Sequence, residues 1–119
     1  MSSLLIIAHG SRRDASNDEM RQLADQVRAQ PGQTYDHVHA AFLELAEPSI
    51  TDGLAKLVAQ GATDIVAFPY FLAAGTHVAQ DIPEAIAEFA TRHPDINVRL
   101  TSHLGASHAL PAAILGMAV

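Results

Sequence analysis

Hydrophobic positions along the chain alternate between two spacings, and this alternation predicts strands followed by helices. Residues 4–8 form an unbroken apolar run, which is typical of a parallel strand buried on both faces. From residue 20 to residue 27, apolar side chains recur at the spacing of one helical face, and residues 16–19 before them have the form of a capping box. Because Pro31 and Gly32 follow, the opening segment predicts one strand and one capped helix.

The same alternation recurs further along the chain and predicts a parallel sheet. Strands are predicted over residues 37–43, 65–68 and 96–101, and helices after Pro48, from Asp81 and over residues 109–117. The second and fourth strands are expected at the edges, and right-handed crossovers then favour the spatial order 2-1-3-4. We therefore predict a single three-layer α/β domain over residues 1–119, of flavodoxin-like type. The mostly apolar stretch over residues 70–80 is expected to be a long functional loop.

Composition narrows the possible chemistry. The 119 residues include no cysteine, so disulfides, thiolate metal sites and a cysteine nucleophile are excluded. The formal net charge is -6 and the basic residues form no stripe, so we expect no nucleic-acid partner. No apolar run has the length of a membrane span, and the first run lacks the flanks of a signal peptide. We therefore expect no membrane association and a cytoplasmic location.

Three side chains are predicted to meet at the carboxyl edge of the sheet. His9 follows the first strand directly, His77 lies near the end of the loop after the third, and Glu44 follows the second. In the order 2-1-3-4 the winding reverses between strands one and three, which creates the crevice where open α/β sheets bind ligands. Imidazole and carboxylate suit cobalt, nickel, iron or zinc better than magnesium or calcium. Either imidazole can also act as a general base near neutral pH.

The remaining polar candidates also have simpler interpretations. His37 and His39 share one face of the second strand, but near its amino end, where a metal clip is the rarer case. His103 follows the fourth strand at the correct edge, one strand further from His9. His93 suits a helix end, and His108 suits solvent or a helix start. Close after His9, Ser11 can donate a hydrogen bond, and Arg12 and Arg13 can bind carboxylates or stay solvated.

Four segments together resemble a known family, the short sirohydrochlorin chelatases of the CbiX type, which are class II tetrapyrrole chelatases. The matching segments are residues 5–11 (LIIAHGS), 41–50 (AFLELAEPSI), 68–78 (FPYFLAAGTHV) and 81–83 (DIP). A histidine, glycine and serine in a row are common, but these segments also occur in the family's order and spacing. The resemblance covers the first strand through the third helix and is less specific after Leu100.

The resemblance implies a chelatase-like fold and an enzyme that inserts cobalt, nickel or iron into sirohydrochlorin without ATP. Such a reaction belongs to cobalamin, sirohaem or related tetrapyrrole biosynthesis, with the divalent metal as substrate and no nucleotide or organic cofactor. By the same resemblance, His9 and His77 bind the metal and help to remove pyrrole protons, and Glu44 is their acidic partner. Larger family members carry two such domains around one cleft, so the resemblance also implies a homodimer.

The macrocycle needs an apolar wall with a few polar anchors. Candidates for substrate binding are Ser11, Arg12, Arg13, Phe71, Leu72, Ala73, Ala74 and Val78. Ordinary packing of the loop is an alternative for each apolar residue taken singly. Two other functions also remain open: a carrier that binds metal or tetrapyrrole without catalysis, and a histidine phosphatase or phosphate-binding domain suggested by His9 and Gly10. The second fits less well, because the first loop has no glycine-rich phosphate cradle.

Overall fold

A computed structural model describes residues 2–73 and 75–119, except for the side chains of His77 and Val78. The elements in chain order are β1 (Ser2–Ala8), α1 (Asp14–Arg28), β2 (His37–Phe42), α2 (Ile50–Ala59), β3 (Asp64–Pro69), a π-helical turn (His77–Asp81), α3 (Ile82–Arg92), β4 (Asn97–Leu100), a 3-10 turn (Leu104–Ala106) and α4 (Leu110–Met117). The sheet has the order β2-β1-β3-β4 with every pair parallel, which confirms the predicted topology.

One face of the sheet carries the larger core. Leu5 and Ile7 of β1 are fully buried there, and their parallel partners on the neighbouring strands point to the same side. Helices α2 and α3 cover this face through Leu54, Leu57 and Phe89. Because these apolar side chains are buried against one another, the spacing of apolar residues in the sequence predicted β1, α2 and α3.

The opposite face is covered only in part. Helix α1 packs Ala24 against Ile6 and Val38, so the β1–β2 half of this face is closed. Over β3 and β4 an apolar groove of about 550 Å³ remains, and Phe68 and Arg99 are among the residues that line it. Parallel sheets normally have helices on both faces, and among the described residues α1 borders this groove but no helix covers it.

Helix α4 does not fill the groove. It begins at Leu110, one residue after the predicted start, and none of its residues is buried. Ile114, Leu115 and Met117 are 60%, 71% and 87% exposed. The start of the helix and Ile114 line a cavity of about 400 Å³ together with Leu72, near the carboxyl edge of the sheet. Helix α4 and the β3–β4 groove are therefore two apolar surfaces without a partner in the described part of the chain.

The predicted helix starts are corrected in detail. Helix α1 begins at Asp14 rather than after Ser16, and the residue before it makes no side-chain cap, so the predicted capping box is wrong. Helix α2 is capped by Ser49, whose hydroxyl accepts a hydrogen bond from the backbone N–H of Asp52 at 3.2 Å. Asp81 precedes α3 but its side chain does not cap that helix, because the π-helical turn runs directly into it.

The predicted loop over residues 70–80 is partly helical, because the turn His77–Asp81 occupies its end. Gly61 ends α2 as expected, with a φ of 100° that a residue with a side chain rarely adopts. Within residues 2–73 and 75–119, no helix has the length and apolar character to cross a membrane.

Candidate functional site

The exits of the first three strands are joined by backbone hydrogen bonds at the carboxyl edge of the sheet. The N–H of Glu44 donates to the carbonyl of His9 at 3.0 Å, and the N–H of Tyr70 donates to the carbonyl of Ile7 at 2.7 Å. These bonds continue the hydrogen-bonding pattern of the parallel strands into the loops. The first residues of the loops are therefore held in fixed positions relative to the neighbouring strand exit. The predicted meeting of the loops after β1 and β2 is therefore present in the fold.

The side chains of His9 and Glu44 are in direct contact. The imidazole Nε2 of His9 lies 2.9 Å from Oε1 of Glu44. Their side chains are 44% and 51% exposed, so the pair adds little to folding stability and is open to a ligand. The ring of Phe71 meets the His9 ring edge to face at a centroid distance of 6.3 Å. A donor Nε2–H of His9 would be held by the carboxylate, which orients the ring at the sheet edge.

Gly10 lets the first loop pass against Glu44. Its φ is 95°, and a Cβ added there would lie 1.7 Å from the carbonyl oxygen of Glu44. Both the backbone conformation and the available space therefore require glycine. A side chain at position 10 would push the loop after β1 away from the loop after β2 and would displace His9 from the Glu44 carboxylate.

Asn17 fixes the same loop from the side of α1. Its side chain is 4% exposed, its Oδ1 accepts from the N–H of Ser11 at 3.0 Å, and its Nδ2 donates to the carbonyl of Ser11 at 2.8 Å. This role is not predicted from the sequence, in which Asn17 falls within the apparent capping box of residues 16–19. A signal was present, since Asn17 lies on the same helical face as Met20 and Ala24, where a polar side chain needs a buried partner.

Arg21 holds the loop that carries Glu44. Its Nη2 donates to the carbonyl of Glu47 at 2.9 Å, and its Nη1 lies 2.8 Å from Oδ1 of Asp18. Its guanidinium carbon lies 5.1 Å from the centroid of the Phe42 ring, in cation–π geometry. The carboxylate therefore sits on a loop that is fixed both by the neighbouring strand exit and by a helix side chain.

An acidic cavity of about 390 Å³ lies beside Glu44, between the start of α2 and α3. Its wall includes the carboxyl side chains of Glu44, Asp81, Glu84 and Glu88. Carboxylates grouped around one cavity create a negative potential, which raises the local concentration of cations. The electrostatics on this side of the His9–Glu44 pair therefore favour the approach of a positively charged ion.

The structure brings together only part of the predicted site. Ser11 is half-buried, Arg12 and Arg13 are exposed, Phe71 is half-buried beside His9, and Leu72 and Ala73 are exposed. His103 precedes the 3-10 turn at the same edge, on the far side of the β3 exit.

Ala74 and the side chains of His77 and Val78 lie outside the described residues, so the predicted meeting of His77 with His9 stays a prediction. Within that described part, no three histidine or carboxylate groups are arranged to hold a metal ion.

Comparison with known proteins assigns the chain to a family. The sequence model of the CbiX family matches residues 3–116. The chain belongs to the CbiX family. As a CbiX protein, it is similar to the chloroplastic sirohydrochlorin ferrochelatase of Arabidopsis thaliana, with 37% identity over 90% of the chain and 47% of the relative.

Solved structures agree with this assignment. A CbiX protein from Marinobacter aquaeolei VT8 has a TM-score of 0.83 and 28% identity, with 99% of this chain and 94% of that chain covered. The sirohydrochlorin chelatase SirB from Bacillus subtilis subspecies spizizenii, in complex with cobalt, has a TM-score of 0.86 and 31% identity, with 97% and 48% covered. The chelatase-like fold implied by the sequence resemblance is thus confirmed. This CbiX chain spans about half the length of the plant relative and of SirB.

Proposed function

We propose that the protein inserts a divalent cobalt, nickel or iron ion into sirohydrochlorin, without ATP, in cobalamin, sirohaem or related tetrapyrrole biosynthesis. The observation that carries this proposal is the contact between His9 and Glu44 at the sheet edge where this fold binds ligands. Membership of the CbiX family supports it, and so does the acidic cavity beside Glu44. A cytoplasmic location is part of the proposal, although the Arabidopsis relative is described as chloroplastic.

The proposed reaction is a proton-for-metal exchange. Two pyrrole N–H bonds of the macrocycle break, bonds from those nitrogens to the metal form, and two protons leave for solvent. The oxidation state of the metal is unchanged, so the step requires neither a reductant nor a nucleotide. His9 receives a pyrrole proton, and the Glu44 carboxylate in contact with the ring offsets the positive charge of the imidazolium that forms.

His9 also holds the incoming ion before transfer, together with His77. In this proposal His9 and His77 are the metal ligands, and Glu44 orients the His9 ring from behind. Two imidazoles form a loose site compared with a closed four-ligand site, which suits an ion that must be released to the macrocycle. Phe71, Leu72 and Val78 supply the apolar wall, while Ser11 and Arg12 bind polar groups of the substrate, including its carboxylates.

Anaerobic incubation of the purified protein with sirohydrochlorin and Co²⁺, Ni²⁺ or Fe²⁺, followed by absorbance, tests this function. We expect a rate above the spontaneous reaction, lost in His9→Ala and in His77→Ala but kept in the matched control His108→Ala, whose side chain is exposed. Circular dichroism checks that each variant folds. Tight binding of the macrocycle or metal without any acceleration would contradict catalysis and identify a carrier instead.

We further propose that the protein acts as a homodimer in which α4 of each copy covers the β3–β4 groove of the other. Two copies together approach the length of the plant relative and of SirB, of which one copy covers 47% and 48%. The groove and the exposed helix are complementary in character, because both are mainly apolar. Exchange of the helix would cover the groove on each sheet with an apolar surface.

A further inference from the structure

A second pair of imidazoles lies at the other end of the sheet. His37 and His39 occupy alternate positions of β2, so their side chains are on the same face of this edge strand. Their rings are nearly parallel, with an interplanar angle of 12° and a centroid separation of 6.1 Å. Both side chains are half-buried, so they are partly restrained by the fold and still accessible from solvent.

The ring of His39 is oriented by a neighbour on α2. Its Nε2 lies 3.0 Å from Oε1 of Gln60, the residue that ends that helix. An amide oxygen accepts hydrogen bonds, so this contact places the ring proton on Nε2 and leaves the lone pair of Nδ1 available. Metal-binding histidines commonly donate their other ring N–H to an oxygen in this way, because the contact fixes both the tautomer and the ring orientation.

A buried hydroxyl next to His37 adds an independent observation. Ser3 of β1 pairs with His37 in the parallel register, so the two side chains lie on the same face of the sheet. Ser3 is fully buried, and among the described residues its Oγ has no hydrogen-bond partner. Buried polar atoms are rarely left unpaired in folded proteins, so this hydroxyl is available to a hydrogen-bonding group bound beside His37.

The pair is well separated from the His9–Glu44 site. Ser3 and His9 lie at opposite ends of β1, and a strand rises about 3.3 Å per residue, which places the two sites about 20 Å apart. No single ion can contact both. A cavity of about 230 Å³ runs along the β2 edge and reaches His39, which provides a route from solvent.

We propose that His37 and His39 bind a second divalent transition metal ion, of the borderline class that prefers imidazole. The ion contacts one nitrogen of each ring, the Gln60 contact holds the His39 ring, and the Ser3 hydroxyl binds a water on the ion. The rings must rotate to approach each other from their centroid separation of 6.1 Å, because two nitrogens that each lie about 2.1 Å from one ion are at most about 4 Å apart. Arg21, Asp25 and Lys56 line the adjacent cavity. Because the proposed site has only two protein ligands, it binds metal more weakly than a site with three or four.

Calorimetry with Co²⁺ separates this site from the one in the proposed function. The starting protein is the His9→Ala/His77→Ala double variant, which lacks the ligands proposed for insertion. We expect it to bind about one Co²⁺ per chain, and we expect His37→Gln/His39→Gln in the same background to weaken that binding at least tenfold. His108→Gln in that background is the matched control. Unchanged Co²⁺ binding after the loss of both imidazoles, or no binding by the starting protein, would overturn the proposal.

Nuclear magnetic resonance of the otherwise unchanged protein provides a measurement that does not depend on folding of a variant. Paramagnetic Co²⁺ should broaden the imidazole signals of His37 and His39 while the exposed His108 signal stays sharp at the same concentration. Equal broadening of all three would show nonspecific contact and contradict the site. The His37→Gln/His39→Gln variant keeps His9 and His77, so we expect it to insert metal at the normal rate when the metal is saturating. Failure of the second site can therefore be distinguished from failure of the proposed activity.

Discussion

His9 and Glu44 are separated by 35 positions in the chain, yet their side chains meet at 2.9 Å. The contact follows from the parallel pairing of β1 with β2, because Ala8 and Phe42 are register partners and each strand then exits at the same edge. The two half-exposed groups gain little from each other energetically, since exposed pairs contribute no more than about 1 kcal/mol. Their arrangement is therefore better explained by chemistry than by stability.

The first prediction concerns the carboxylate. We expect Glu44→Gln to lower kcat for metal insertion by about a hundredfold, since an amide still accepts from Nε2–H but does not stabilise an imidazolium, and general acid–base groups are typically worth that much. The melting temperature should change little, because the pair is half exposed. Glu47→Gln, in the same loop, is the control. A rate for Glu44→Gln equal to that of the control would remove Glu44 from the proton pathway.

The second prediction concerns the close approach at Gly10. We expect Gly10→Ala to destabilise the protein by at least about 1–2 kcal/mol, the cost of a left-handed conformation for a residue with a side chain. The collision with the Glu44 carbonyl adds to this cost and should also lower the insertion rate. Chemical denaturation and the absorbance assay measure the two effects.

Gly32→Ala is the control, because Gly32 has a φ of 83° but no neighbouring atom within 4 Å of the added Cβ. Equal losses of activity in the two variants would contradict a specific role for Gly10.

The third prediction concerns Asn17 as a positioning residue. Asn17→Ala leaves the N–H and carbonyl of Ser11 without their partner, and we expect about 1–3 kcal/mol of lost stability for groups left unpaired. Because the loop carries His9, kcat should fall while KM for sirohydrochlorin changes less. Asn97→Ala removes an exposed contact to Asp64 and serves as the control. A variant that loses stability but keeps kcat would show that Asn17 acts on the fold alone.

The fold was largely predictable, and the site only in part, for physical reasons that particular residues illustrate. The spacing of apolar residues reports burial, so the buried Leu5 and Ile7 revealed β1 and, with the other strands, the sheet order. Sheet order alone then placed His9 and Glu44 at one edge. The role of Asn17 was missed because its partner, the Ser11 backbone, is set by tertiary structure rather than by local pattern.

Local sequence rules failed where another contact competed for the same residues. Residues 16–19 satisfy a capping pattern, but burial of Asn17 against the Ser11 loop starts α1 earlier, at Asp14. Gly10 was noted as part of a motif, whereas its steric role became apparent only from the distance to the Glu44 carbonyl. Such requirements arise from two segments that are distant in sequence, so no window of neighbouring residues contains them.

The fourth prediction concerns the acidic cavity. We expect Glu84→Gln/Glu88→Gln to raise the Co²⁺ concentration that gives half-maximal insertion several-fold, because two of the carboxylates around the cavity lose their charge. The value of kcat at saturating metal should be unchanged. The difference from the unmodified protein should shrink as salt is added, since salt screens exposed charges. Glu19→Gln/Asp95→Asn, which removes two exposed carboxylates outside the cavity, is the control for net charge, and an equal shift in that variant would exclude a local effect of the cavity.

The last prediction concerns α4 and the proposed dimer. Leu115 is 71% exposed on a helix without charged residues, and the β3–β4 groove of a second copy offers an apolar surface for it. We expect Leu115→Asp to weaken association at least tenfold, because a carboxylate buried in that groove would lose its hydration without a matching partner. Analytical ultracentrifugation over a range of concentrations measures the change. Leu45→Asp is the control, since Leu45 is 55% exposed but lies outside both surfaces. A concentration-independent monomer for the unmodified protein would exclude the exchange, whereas a dimer unaffected by Leu115→Asp would show that the copies meet through another surface.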